Sequence, residues 1–133
     1  MSAALLAELP PHSGAPGLAA VRDGWTPDAV GAVLRSGLLT AAELDRLALP
    51  RKTLAHRRAL GRLTPEQSDR LARVVRVALL ARETFGDDAK GDRWLRRPTA
   101  ALDGAAPLDL LDTDIGARAV EATLGRIAHG VAA

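Results

Sequence analysis

Thr40–Leu60 reads "TAAELDRLALPRKTLAHRRAL", and the fold follows from how this stretch divides. Thr40 with Glu43 three residues later forms a capping box, in which hydroxyl and carboxylate each satisfy a backbone N–H that a helix start leaves unpaired. The helix so opened is short and buries Leu44 and Leu47. "LAL" (47–49) is a turn, and Pro50, which has no backbone N–H to give, starts a second helix that runs to Leu60 and stops at Gly61. A short helix, a brief turn and a second helix have the proportions of a helix-turn-helix. The turn position often filled by glycine is Ala48, which predicts slight strain in a left-handed conformation.

The second helix is basic. From Arg46 to Pro65 there are six Lys or Arg and no Asp or Glu, while the chain nets only +2, so everything else carries −4. Charge sorted this sharply is the footprint of a polyanionic partner. On a helical wheel Arg51, Lys52, Ala55 and His56 share the arc opposite Leu54. That arc offers donors for the base edges and phosphates of DNA, with Ala55 small enough for close approach. Arg58 and Arg62 flank it within reach of phosphates, and Arg57 turns toward the core. The plainer alternative is a solvated basic face on a bundle helix, and for His56 a polar surface role stands beside a base contact.

Upstream, "TPDAVGAVLRSG" (26–37) has Thr26 as N-cap, Pro27 at the first helical position and Gly37 as a stop. Its stripe of Val30, Val33 and Leu34 is spaced to meet Leu44, Leu47, Leu49 and Leu54. Residues 1–24, rich in Pro, Gly, Ala and Ser, read as a flexible arm with one helical turn at Ser2–Leu9. Downstream, Thr64 and Gln67 repeat the capping box, Pro65 opens a long helix to Phe85, and Gly86 ends it. "DDAKGDRWL" (87–95) is a short helix, "RRPTAALDGAAP" (96–107) a loop, Pro107–Leu111 one or two helical turns, and Asp114–His129 a last helix stopped by Gly130. The organisation is thus an arm (1–24), a helix-turn-helix DNA-binding domain (25–63) and a second helical domain (64–133).

Composition agrees with an all-α chain: 47% hydrophobic, dominated by Ala and Leu, with 2% aromatic residues and no Tyr. The absence of Cys excludes disulfides, thiolate metal sites and a thiol nucleophile, and fits a reducing cytoplasm. His12, His56 and His129 are too dispersed for a metal cluster. "GDDAKG" and "GRIAHG" lack the preceding strand and the spacing of a phosphate loop, and no Ser-His-Asp arrangement is present, so neither catalytic residues nor a cofactor are expected. No apolar run reaches the length of a membrane span, and "MSAALLAEL" lacks the basic start of a signal peptide. Pro27, Pro50, Pro65, Pro98 and Pro107 break any long coiled coil.

Two helices past Gly61 carry more apolar surface than one core needs. On the long helix, Leu71, Val74, Val75, Ala78 and Phe85 form a core stripe, while Val77 and Leu80 fall on the far side as a face for a homodimer or second partner. On the last helix, Val120, Leu124 and Ile127 face one way, and Ile115, Ala119, Ala122, Arg126 and His129 line the other. Two-faced helices imply a core and a partner. Asp103–Ala133 holds five acids against two Arg, which does not suit DNA.

"LALPRKTLAHRRALGRLTPEQSDRL" (47–71), "FGDDAKGDRWLRRP" (85–98), "LDGAAPLDLL" (102–111) and "GRIAHGVAA" (125–133), in that order, resemble antitoxins of the Xre/MbcA/ParS type. The resemblance runs from about Leu38 to the end, roughly three-quarters of the chain. It implies an N-terminal helix-turn-helix and a C-terminal toxin-binding domain. The implied partner is a RES-domain toxin of a type II toxin–antitoxin module, which consumes NAD+ by phosphorolysis or ADP-ribosyl transfer. Antitoxins of this kind cover the toxin's active-site cleft with C-terminal residues and repress their own operon. Carried onto this chain, the cleft-blocking residues are Arg126, His129, Gly130, Val131 and Ala133, with a terminal carboxylate near Arg126 able to occupy dinucleotide space. Members often have Ser or Thr before the Pro of "GxxPLxLL"; Ala106 stands there, leaving the capping of that short helix open. Trp94 is assigned to the scaffold. The rival reading is a stand-alone repressor whose acidic half dimerises or binds a small ligand.

Overall fold

The computed structural model describes residues 2–130. Among them the chain forms α1 (Ser2–Leu6), α2 (Gly14–Asp23), α3 (Pro27–Arg35), α4 (Ala41–Leu47), α5 (Arg51–Leu60), α6 (Pro65–Phe85), α7 (Asp88–Arg96) and α8 (Asp114–Ala128). Short 3-10 turns lie at Ala100–Leu102 and Pro107–Leu110, and the described residues hold no strand. The class is all-α. Two compact units divide between Val75 and Arg76, within α6. The Leu63–Thr64 junction is itself a helix boundary, where Thr64 and Gln67 exchange their capping bonds at 2.8 and 3.1 Å.

In the first unit, α3 starts as its sequence dictates: Thr26 Oγ1 accepts from the Ala29 N–H at 3.3 Å and Pro27 occupies the first turn. Val30 and Val33 are fully buried with Trp25, Leu38, Leu39, Leu49, Leu63 and Leu71, while Leu34 is half-buried. The Trp25 backbone joins distant segments. Its N–H donates to Ser68 Oγ at 2.8 Å and its carbonyl accepts from the Leu63 N–H at 2.8 Å.

Residues 2–24 hold more helix than their composition announces. Gly14 and Pro16 sit in the first turn of α2, where Pro forfeits no intrahelical bond. Gly17 is buried, and a Cβ there would stand 2.9 Å from the His12 carbonyl carbon. Leu5, Leu6 and Leu9 are half-buried, and α1 packs on α3. The Pro and Gly that suggest an arm serve a turn and a close approach.

In the second unit, Gly86 (φ 65°) ends α6 and Asp87 caps α7 by accepting from the Lys90 N–H at 2.9 Å. Gly91 lets α7 lie on α6: a Cβ would meet the Arg82 backbone at 2.7 Å. Arg82, buried, donates through Nε and Nη2 to both Asp92 carboxylate oxygens at 2.8 and 3.0 Å, and its Nη1 lies 3.6 Å from Asp88. That bidentate bond holds the guanidinium above its ordinary range against the cost of burial. Leu95, Leu108, Leu111, Ala117, Val120 and Leu124 fill this core. Trp94, assigned to the scaffold, is half-buried, 5.8 Å from the Phe85 ring at a 42° tilt.

The stretch read as a loop at 96–107 contains the 3-10 turn Ala100–Leu102, closed by Asp103 in the left-handed region (φ 56°) and by the Gly104 N–H donating to the Thr99 carbonyl at 2.9 Å. The next 3-10 turn begins at Ala106 with no side-chain cap. One expectation is overturned. Val77 is fully buried and Leu80 half-buried, so the pair offers no free face. A helix with one covered stripe would leave Val77 free, but α6 buries Leu71, Ala72, Arg73, Val74, Val75, Val77, Ala78, Ala81 and Arg82, which surround its axis.

Candidate functional site

The α4–α5 pair is built from local bonds. Thr40 Oγ1 accepts from the Glu43 N–H at 3.2 Å and the Glu43 carboxylate from the Thr40 N–H at 2.9 Å. Leu44, Leu47, Leu49 and Leu54 are buried, as their spacing predicts. The turn is not strained: Ala48 has φ −130° and ψ −49°, and among the described residues the only non-glycine in the left-handed region is Asp103. Instead of a left-handed residue, the Ala48 and Leu49 N–H groups both donate to the Leu44 carbonyl, at 3.0 and 2.9 Å. The Ala48 carbonyl accepts from Arg70 Nε at 3.2 Å, which ties the turn to α6. Pro50 contributes no cap, and Asp45 supplies one, its Oδ1 accepting from the Arg51 N–H at 2.7 Å.

Leu54 turns α5 inward, leaving Arg51, Lys52, Ala55, His56 and Arg58 exposed together. The side chains of Arg51, Lys52, His56 and Arg58 make no hydrogen bond or ion pair with other described residues, so their donors face solvent. Arg62 is exposed but employed: its Nη1 donates to the buried Gly24 carbonyl at 2.9 Å. Arg57 is half-buried and donates through Nε to the Arg62 carbonyl at 2.8 Å. Arg58 also lines a cleft of about 500 Å3 with Thr26, Pro27, Asp28, Gly31, Gly61 and Arg35. Arg35, at the end of α3, is a cation the sequence reading missed; nothing in its neighbours along the chain announces that it shares a cleft with α5. The face of α5 thus offers a row of unpaired cations on a helix with one small residue among them.

The last helix presents a different surface. Thr113 Oγ1 caps it by accepting from the Gly116 N–H at 2.9 Å, and Gly116 lies against the Leu110 carbonyl where any Cβ would clash. Ala117, Val120, Thr123 and Leu124 are buried, with Ile127 half-buried. Ile115 is 81% exposed, and Ala119, Ala122, Arg126, His129 and Gly130 are exposed too. Arg126 Nη2 donates to Thr123 Oγ1 at 3.1 Å, and His129 Nδ1 lies 2.7 Å from the Gly125 carbonyl. A carbonyl only accepts, so Nδ1 carries the proton and Nε2 is the ring nitrogen left over. Arg76 anchors the helix through Glu121 at 3.1 Å. Val131 and Ala133 lie outside the described residues. Among those described, no three His, Asp or Glu gather as metal ligands, and no helix is long and apolar enough to cross a membrane.

Two family models cover the chain. Residues 16–76 match the antitoxin Xre-like helix-turn-helix domain, and residues 80–130 match the antitoxin Xre/MbcA/ParS C-terminal toxin-binding domain. Among similar proteins, Antitoxin Xre of Yersinia enterocolitica is 35% identical over 92% of this chain and 85% of its own length. Antitoxin Xre of Pseudomonas putida is 33% identical over 83% of this chain and 69% of its own, and that of Photorhabdus laumondii 42% identical over 53% and 49%. The first model takes in the α4–α5 pair and the second takes in α8 with its exposed face. The chain belongs to the Xre/MbcA/ParS antitoxins, with an Xre-like helix-turn-helix ahead of the toxin-binding domain.

Proposed function

We propose that this antitoxin silences a NAD+-consuming RES-domain toxin of a type II module by laying the exposed face of α8 over the toxin's active-site mouth. The same protein binds operator DNA through α5 and represses its own operon, and it works in the cytoplasm, where both partners are. The observation that carries the reading is the face itself: Ile115, 81% exposed, continued by Ala119, Ala122, Arg126 and His129 on the side of α8 away from its buried residues. Small residues let a partner surface approach, and Ile115 adds an apolar side chain whose burial against a partner is favourable. A site built for an anionic dinucleotide is electropositive, and Asp103–Ala133, with five acids and two Arg, is complementary to it. The chain itself has no catalytic part in this scheme.

The test mixes purified toxin with antitoxin variants and follows NAD+. Ala119→Glu puts a charge in the middle of the face without touching the core, and should weaken inhibition by about tenfold or more. Arg126→Ala should cost more than His129→Ala, and deleting 126–133 more than either. Full inhibition by Ala119→Glu and by Ile115→Asp would reject the α8 face. The homodimer is proposed on the two-fold symmetry that helix-turn-helix proteins exploit on DNA, now without Val77 and Leu80. Light scattering that finds a monomer at micromolar concentration would exclude it.

A further inference from the structure

Phe85, Lys90, Arg93, Trp94 and Arg97 line a cleft of about 260 Å3 on the second unit. Its floor is aromatic: Phe85 and Trp94 are both half-buried and sit 5.8 Å apart. Its rim is cationic, and no carboxylate lines it. The acids of α7 are occupied elsewhere, Asp87 as N-cap and Asp88 and Asp92 on Arg82. The side chains of Lys90, Arg93 and Arg97 take no hydrogen bond or ion pair within the described residues. Residues 76–133 contain eight Lys or Arg against nine Asp or Glu, so three unneutralised cations around one cleft run against the local balance. Like charges gathered without partners repel, and an anionic ligand relieves that repulsion.

We propose that this cleft binds a single-stranded nucleic-acid segment, with one unpaired base stacked on Trp94 and successive backbone phosphates along Lys90, Arg93 and Arg97. From residue 90 to 97 the cations span on the order of 10 Å at about 1.5 Å per residue, more than one phosphate occupies. An aromatic platform needs a base whose face is free, which an unpaired strand supplies and a duplex does not. An acidic peptide would satisfy the cations but leave the rings without a flat partner. The contrast with α5 is chemical: Arg51–Leu60 has cations and no Phe, Tyr or Trp, suited to a groove, whereas the cations of α7 lie beside the Trp94 and Phe85 rings.

The experiment uses the intact protein and its own fluorescence. Trp25 is 1% exposed, so quenching by a ligand reports Trp94. Titration with an oligothymidylate of about ten nucleotides should quench it, and log K should fall with log salt with a slope of about −2, from roughly −0.7 per phosphate contact. Arg93→Gln with Arg97→Gln should weaken binding by about tenfold and bring the slope near −0.7, and Lys90→Gln alone should weaken it by about threefold. Arg22→Gln, at an exposed cation on α2 outside both surfaces, should change neither value. The proposal is overturned if no quenching occurs, or if Arg51→Ala removes binding as fully as the double variant. It is also overturned if thymidine monophosphate binds as tightly as the oligomer, which marks a small-molecule site, or if a poly-glutamate peptide does, which marks a protein partner.

Discussion

Arg51 and Arg62 are the same residue type in the same basic stretch, and they do different work. Arg51 has an unpartnered guanidinium on the exposed face of α5, whereas Arg62 spends a donor on the Gly24 carbonyl and its own carbonyl on Arg57. Arg51→Ala should therefore weaken operator binding and reduce the salt slope by about 0.9, the value for one phosphate contact on duplex DNA. Arg62→Ala should instead lower stability by about 1 kcal/mol, the net worth of one hydrogen bond, with little change in slope. Urea titrations and salt-dependent operator binding on the two variants separate these roles. Arg82 is a third case. With its side chain 8% exposed and bonded to Asp92, which is 27% exposed, it depends on that partner. Asp92→Asn should cost about 2–3 kcal/mol in urea unfolding, somewhat less than a fully dry pair because Asp88 remains nearby. Arg82's affinity for its proton is raised on folding, so its contribution is complete at lower pH and lost only as pH climbs through the folded value, far above neutral. The guanidinium therefore adds no pH dependence to stability in the working range.

Among the elements, α5 and α7 are each held in place by one residue, Asp45 on the preceding helix and Gly91 within α7 itself. Asp45, on α4, caps α5 because Pro50 brings no side chain that accepts. Asp45→Ala should lower stability by about 1 kcal/mol, as loss of an N-cap does, yet operator affinity should not fall, because the change removes a negative charge beside Arg51. A joint fall in both would mean the cap orients α5. For α7 the placing residue is Gly91. A Cβ at that position would lie 2.7 Å from Arg82 backbone atoms, and backbone cannot swing aside as a side-chain tip does. Gly91→Ala should cost about 1–3 kcal/mol by overpacking, and Trp94 emission should shift as α7 moves off α6.

For the whole molecule, α5 and α8 belong to different compact units, one on each side of the break between Val75 and Arg76. Their proposed tasks should then be separable. Arg51→Ala should leave toxin inhibition unchanged, Ala119→Glu should leave operator binding unchanged, and the double variant should show the sum of the two defects, as independent sites do. A double variant far from additive would show that the two faces are coupled.

The signals legible along the chain were those whose causes are local. Capping boxes at Thr40 and Thr64, Pro at helix starts and Gly at their ends act within three or four residues, so the elements from Thr26 to Gly130 fall close to where their sequence places them. The exposed face of α8 was legible too, because small and polar residues recur there at helical spacing. What the tertiary structure alone decided is burial and long-range hydrogen bonding. Val77 is covered because α6 is surrounded, a property of its neighbours in space; Arg62 is tied to Gly24, across 38 residues of chain. The Gly and Pro of 14–17 stand in a helix that the His12 backbone approaches closely, and the Phe85 and Trp94 rings share a cleft with the cations of α7, a helix whose Gly91 lies against the Arg82 backbone. Periodicity records which side chains share a face of a helix. How many faces are covered, and by what, depends on contacts between residues far apart in the sequence, which only the folded chain brings together.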